Sequence, residues 1–108
     1  MAQIEWTPEA RQSIKQIGRY IATQSGSIET AERVLRRIEA KCEQYARQPL
    51  MGESRPDLGE TVRNFPAGNY IVFYEPLGDD GIRLLLAIHG ARDVVQVFRD
   101  LFDGPTTG

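Results

Sequence analysis

The sequence predicts one α+β domain: an N-terminal strand and a helix hairpin packed on a mainly antiparallel sheet, in the order β-α-α-β-β-β, with a short C-terminal helix or tail. Three observations predict it. The first half carries two apolar stripes at helical spacing. The second half carries three β-branched and aromatic runs bounded by turn residues. The breaks between these runs are short. A chain of 108 residues holds one core rather than two. The domain is assigned to residues 1–103, with 104–108 as a frayed, flexible terminus.

"QIEW" opens as a short strand. In "TPEA", Thr7 is an N-cap and Pro8 takes the first helical position. Ala10, Ile14, Ile17 and Ile21 then fall on one helical face. "SGS" at 25–27 breaks this helix, and Ser27 can cap the next. Ala31, Val34, Leu35, Ile38, Cys42 and Tyr45 form the second stripe. Glu29→Arg33 and Glu32→Arg36 on its polar side follow the favourable i,i+4 order. Gln48-Pro49 ends the helix. The short break implies an antiparallel hairpin. "TVRNF" (61–65), "YIVFY" (70–74) and "IRLLLAIH" (82–89) are strands joined through "PAGN" and "EPLGDDG", which makes an antiparallel meander that the first strand can join at an edge. "DVVQVFRDLF" is a short amphipathic tail.

Strict alternation along these strands gives a more specific expectation. Ile82, Leu84, Leu86 and Ile88 share one side of the last strand, and Arg83, Leu85, Ala87 and His89 the other. The hairpin covers one sheet face. With the larger sets facing it, Ile71, Phe73, Leu85 and Ala87 form an apolar patch on the open face, with Arg83 and His89 at its margins. Such a patch marks a partner surface. The competing reading is that the tail folds back over it, although about ten residues of helix cover only part of a face.

Composition narrows the function. No run approaches the roughly 18 apolar residues of a membrane span. "MAQIEW" lacks a basic region followed by an apolar one, so no secretion signal is expected, and a cytoplasmic protein is. The single cysteine, Cys42, is expected in the core, and no Cys/His cluster suits a metal. No Gly-rich phosphate loop or nucleophile elbow appears, and no cofactor is expected. The formal net charge is −2. Up to Ser54 the chain has eight basic and seven acidic residues, and after it five and eight. This is not the basic surplus of a protein that grips nucleic acid by itself. Trp6, Tyr20 and Tyr45 are scattered, with no interleaving of basic residues among them, and read as core or rim aromatics rather than base-stacking platforms.

"WTPEARQSIKQIGRYIA", "QPLMGESRPDLGETVRNFPAGNYIVFY" and "LLLAIHGARDV" occur in that order. With them the chain resembles the RelE/ParE superfamily of toxins from type II toxin–antitoxin systems. Its wording, "RNFPAGNYIVFY" and then "HGARD", is closest to the ParE branch. The resemblance implies a RelE-like fold and a cognate ParD-like antitoxin. That partner would bind DNA, fold along the toxin and assemble with it into a hetero-oligomer, so that the toxin reaches DNA only indirectly.

The resemblance also implies a target, and two classes compete. ParE-type members poison DNA gyrase by binding. RelE-type members are ribosome-dependent mRNA endonucleases. A nuclease needs a base for the 2′-hydroxyl, cations for the phosphate and an acid for the leaving oxygen. Arg63, His89 and Arg92 are the residues that can supply them. Where the RelE pattern has an arginine directly after the strand tyrosine, this chain reads Tyr70-Ile71. That gap favours the binding toxin. A co-repressor acting only through its antitoxin is a third reading. Candidate antitoxin contacts are Arg63, Ile71, Phe73, Arg83, Leu85, Ala87, His89 and Arg92. Candidate target contacts are Phe98, Arg99 and Phe102 of the tail. In "HGARD", Gly90 is expected to allow a tight turn or a positive φ. Arg92-Asp93 is read as a local ion pair, with Asp93 capping the tail helix. Arg55 of "SRPDL" is expected in solvent.

Overall fold

The computed structural model describes residues 2–78, 80–90 and 92–103. The expected terminus at 104–108 and Ala91 of "HGARD" lie outside them. The elements run β1 (Gln3–Trp6), α1 (Pro8–Ser25), α2 (Ile28–Arg47), β2 (Glu53–Ser54), β3 (Arg63–Ala67), β4 (Tyr70–Pro76), β5 (Gly81–His89) and α3 (Val94–Phe98). The last continues as a π-helical turn over Arg99–Asp103. The sheet order is β1-β5-β4-β3-β2. β1 runs parallel to β5 and every other pairing is antiparallel. The predicted α+β class and element order hold; the two-residue β2 is an addition at the far edge.

Local chemistry sets the boundaries. The Thr7 hydroxyl accepts from the Ala10 N–H at 3.1 Å, and Pro8 follows as the first helical residue. The same hydroxyl donates to the Leu84 carbonyl at 2.8 Å, so the cap of α1 also fastens it to β5. Gly26 ends α1 in the left-handed conformation, and Ser27 caps α2 by accepting from the Thr30 N–H at 3.1 Å. Of the two helix pairs, Glu32–Arg36 closes at 3.6 Å. Gly81 has φ 141°, and a Cβ there would stand 2.7 Å from the Gln3 carbonyl oxygen. Only glycine lets β1 approach β5 so closely.

Between helices and sheet lies the larger core, which includes Ile17, Ile38, Cys42, Phe65, Tyr74 and Leu84. Tyr45 stacks on Phe65 with ring centroids 4.1 Å apart. Each large side chain removed from water here contributes about 1.5–3 kcal/mol. Ser13 is the buried polar side chain among the described residues. It lies against β5 beyond the end of β1. Its hydroxyl accepts from the Ala87 N–H at 3.0 Å and donates to the Ala10 carbonyl at 2.9 Å. A backbone donor without a strand partner is thereby satisfied.

The opposite sheet face departs from expectation. Tyr74 pairs with Leu84, but Phe73 pairs with Leu86, so Leu85 is an extra residue in the ladder. This bulge inverts the alternation of β5. Before it, Ile82 and Leu84 face the helices. After it, Ala87 joins the helix-side core, and Leu85, Leu86 and Ile88 belong to a second cluster with Val62, Phe73 and Phe98. The patch is also not open. Phe98 lies edge-on to Phe73 at 5.5 Å, and Val94, Val97 and Phe102 pack beside it. Leu58 and Val62, from the loop before β3, cover the other end. Phe73, Leu85 and Ala87, expected to be exposed, are 0, 6 and 4% exposed. The tail folds back over the face, and a loop completes the cover that the tail is too short to give alone.

Candidate partner-binding groove

Among the described residues, the second half of β5 has no strand on its outer side. α1 lies across that edge, and the tail approaches from the other face. Between them is a groove of about 630 Å³. Ile17 and Tyr20 of α1, Tyr70 of β4, Leu86 and Ile88 of β5, and Val97 and Leu101 of the tail give it an apolar lining. Gln16, His89, Arg92 and Asp100 add polar groups. Tyr20 and Leu101, 61 and 44% exposed, are two of the large apolar side chains left in solvent. The His89 ring stands edge-on to Tyr70 at 5.6 Å. Burial pushes the Tyr70 phenol above its ordinary pKa, with Tyr20 adding to the effect. The Tyr70 phenol is therefore neutral at physiological pH, and the groove suits apolar side chains.

His89 and Arg92 of "HGARD" line one end of the groove. The Gly90 N–H donates to the Asn69 carbonyl at 3.0 Å, and the Arg92 N–H to the His89 carbonyl at 3.1 Å. Gly90 is not in the left-handed region; a Cβ would meet only ordinary contacts there, so the expected positive φ is absent. Asp93 caps α3 by accepting from the Gln96 N–H at 3.2 Å. The expected Arg92–Asp93 ion pair is not formed.

Arg63 lies elsewhere. It pairs with Tyr74, whereas His89 pairs with Tyr70, four residues along β4. That is about 13 Å along the strand alone. The Arg63 guanidinium donates to the Leu50 and Gly52 carbonyls at 3.2 and 2.7 Å. The triplet Arg63, His89 and Arg92 therefore does not converge. Arg83 keeps the expected face, opposite the helices, but no longer shares it with His89, which the bulge turns to the helix side. Arg83 bridges Glu5 at 2.8 Å and Glu75 at 3.6 Å in a row across three strands. Arg55, expected in solvent, chelates Asp57 at 2.8 and 3.0 Å and stands 5.7 Å from the centre of the Phe73 ring. Of the tail candidates, Phe98 is buried, Phe102 packs against it at 4.7 Å, and Arg99 is exposed. Ile71 is half-buried under the tail.

Sequence reasoning missed the groove itself. Tyr20 and Leu101 had no signal beyond being large apolar residues on otherwise polar turns. The groove arises from how three elements meet.

Residues 4–94 match the family described as the ParE toxin of type II toxin–antitoxin system, parDE. A solved structure, described as the chromosomal ParDE TA system from P. aeruginosa, superposes with a TM-score of 0.68 at 19% identity. The superposition covers 82% of this chain and 96% of that one. At that identity the likeness is one of fold. Comparison with curated proteins gives no match. The family match stops at Val94, where α3 begins.

Proposed function

The chain belongs to the ParE toxin family of type II toxin–antitoxin systems, and from that premise we propose that it arrests growth by binding DNA gyrase, without chemistry of its own. The observation that carries this reading is the scattering of the nuclease triplet. Arg63 is tied to two backbone carbonyls, and it sits at the far end of β4 from His89. General acid–base catalysis needs its groups within hydrogen-bond reach of one reacting centre. A binding toxin has no such requirement. The reading includes a cytoplasmic location, beside a cytoplasmic target. No described helix is long and apolar enough to cross a membrane. Residues 1–103 act as one domain in this reading. The test is a supercoiling assay with purified gyrase, in which the protein should slow supercoiling and accumulate cleaved DNA.

The antitoxin that the family implies is, in this proposal, ParD-like, and it lays an apolar segment into the groove between α1, β5 and the tail. Exposed Tyr20 and Leu101 support it, because they give such a segment apolar surface to cover. Arg92 at the rim favours an acidic residue in the segment. His89, beside it, contacts the same segment. A Tyr20→Asp/Leu101→Asp variant, altered only at exposed positions, should fold normally and bind antitoxin at least about tenfold more weakly. Unchanged affinity would remove the groove as the antitoxin site.

A further inference from the structure

The loop joining α2 to β2 is both pinned through its backbone and tipped with exposed apolar side chains. Its backbone is pinned from below. The fully buried Tyr74 hydroxyl donates to the Pro49 carbonyl at 2.7 Å and accepts from the Gly52 N–H at 3.0 Å. Arg63 donates to the Leu50 and Gly52 carbonyls at 3.2 and 2.7 Å. The Met51 N–H closes the turn on the Gln48 carbonyl at 3.0 Å. A Cβ on Gly52 would stand 2.3 Å from the Tyr74 hydroxyl oxygen, so the loop lies directly on its support. Yet its two tip side chains are apolar and in water. Leu50 is 70% and Met51 43% exposed. A loop that only connected two elements would carry polar residues there at no cost.

Of the other large apolar residues in solvent, Tyr20 and Leu101 line the groove and Ile28 stands alone at the start of α2. Leu50 and Met51 are adjacent in sequence. With Arg47, Pro49 and Gly78 they surround a shallow depression of about 440 Å³. Gly78 belongs to the β4–β5 turn. The knob is therefore at the Gly81 end of β5 and the groove at the His89 end, about 26 Å away along the strand.

We propose that Leu50 and Met51 are an apolar anchor with which the toxin docks into a preformed pocket on the folded protein it poisons. This rests on reading the chain as a toxin with a protein target. Three arguments select that occupant. A rigid projecting pair fits a pocket on a folded partner; a segment that folds on binding would instead bring its own side chains to a groove. Pre-ordering of the loop avoids the entropy cost of immobilising it in the complex. Two side chains bury far less than the roughly 1,000 Å² that a specific self-association needs, but they suffice as the central anchor of a larger contact.

The test is a Leu50→Ser/Met51→Ser variant of the whole chain, expressed without antitoxin and compared with the wild type at equal soluble protein. The expected result has three parts. The melting temperature stays within a few degrees, because both side chains are exposed. Antitoxin affinity stays within about threefold. Growth arrest, read as surviving colonies, weakens at least about tenfold, the consequence of losing an interface hot spot. A Leu50→Met/Met51→Leu variant, which keeps the apolar character, restores arrest. Full arrest by the serine variant overturns the anchor. So does a loss confined to antitoxin binding, or wild-type self-association that the variant abolishes. A wild type that fails to arrest growth overturns the toxin reading and the anchor with it, an outcome distinct from the other three.

Discussion

Tyr74 lies beside Tyr45 at the C-terminal end of α2, fully buried, with both hydrogen-bonding directions of its hydroxyl in use. Tyr74→Phe leaves the Pro49 carbonyl and the Gly52 N–H without that partner. It should cost about 1–3 kcal/mol in urea unfolding, the usual penalty for stranding buried polar groups. Burial raises the Tyr74 pKa; the Gly52 hydrogen bond and Arg63 work against that rise. The folded state thus binds the phenolic proton more tightly than the unfolded chain. This contribution is fully present below about pH 10, the ordinary tyrosine value, and is lost as pH rises through the higher folded value. Urea midpoints should therefore fall above about pH 10, and less steeply in Tyr74→Phe. Cys42 behaves as a core residue. Burial, with Glu39 and Glu43 nearby, pushes its thiol up to about 12. Iodoacetamide at pH 8 should label it only after unfolding, and labelling of the native protein at the rate of a free thiol would contradict this. Arg83 is the opposite case. Its row with Glu5 and Glu75 is largely exposed, so Arg83→Ala should leave the urea midpoint essentially unchanged.

Both helices were legible with their caps because the signals are local: Thr7-Pro8, Gly26-Ser27 and Gln48-Pro49 sit where the chain must start or stop helix. The meander was legible from its turns. β5 was legible as a strand but not in its facing. "IRLLLAIH" is apolar nearly throughout, so a one-residue bulge at Leu85 changes no hydrophobic pattern that a reader could detect. That bulge moved Ala87 to the helix side and separated Arg83 from His89. The tail was legible as an amphipathic helix, but its docking depends on how Phe98 meets Phe73, a contact 25 residues apart. Two predictions follow at this scale. Phe98→Ala should cost about 3–5 kcal/mol if the tail unfolds with the rest. It should cost less, with faster amide exchange confined to α3 and the strands beneath it, if the tail opens alone. Phe73→Asp should fail to fold, because it removes a fully buried ring that Phe98 packs against and puts a carboxylate beneath both the tail and the 55–62 loop, where Arg55 is already engaged by Asp57.

The whole molecule presents two surfaces at opposite ends of one sheet, the groove at the His89 end and the Leu50–Met51 knob at the other. The family and fold were legible from the wording of the chain. The proposed site was only half legible. Ala87, His89 and Arg92 do line the groove, whereas Phe73 and Leu85 belong to the buried cluster beneath the tail. A partner that binds only the folded state stabilises it by mass action. At an antitoxin concentration 100 times its dissociation constant the gain should be about 2.7 kcal/mol, visible as a rise in melting temperature. The central claim, that this toxin binds rather than cuts, is tested most directly by titrating wild type and a His89→Ala/Arg92→Ala variant in a purified gyrase supercoiling assay. Both should inhibit supercoiling at concentrations within a few fold of each other and accumulate cleaved DNA. Supercoiling untouched by the wild type would contradict the account, decisively so if the same protein cleaved ribosome-bound mRNA and the variant did not.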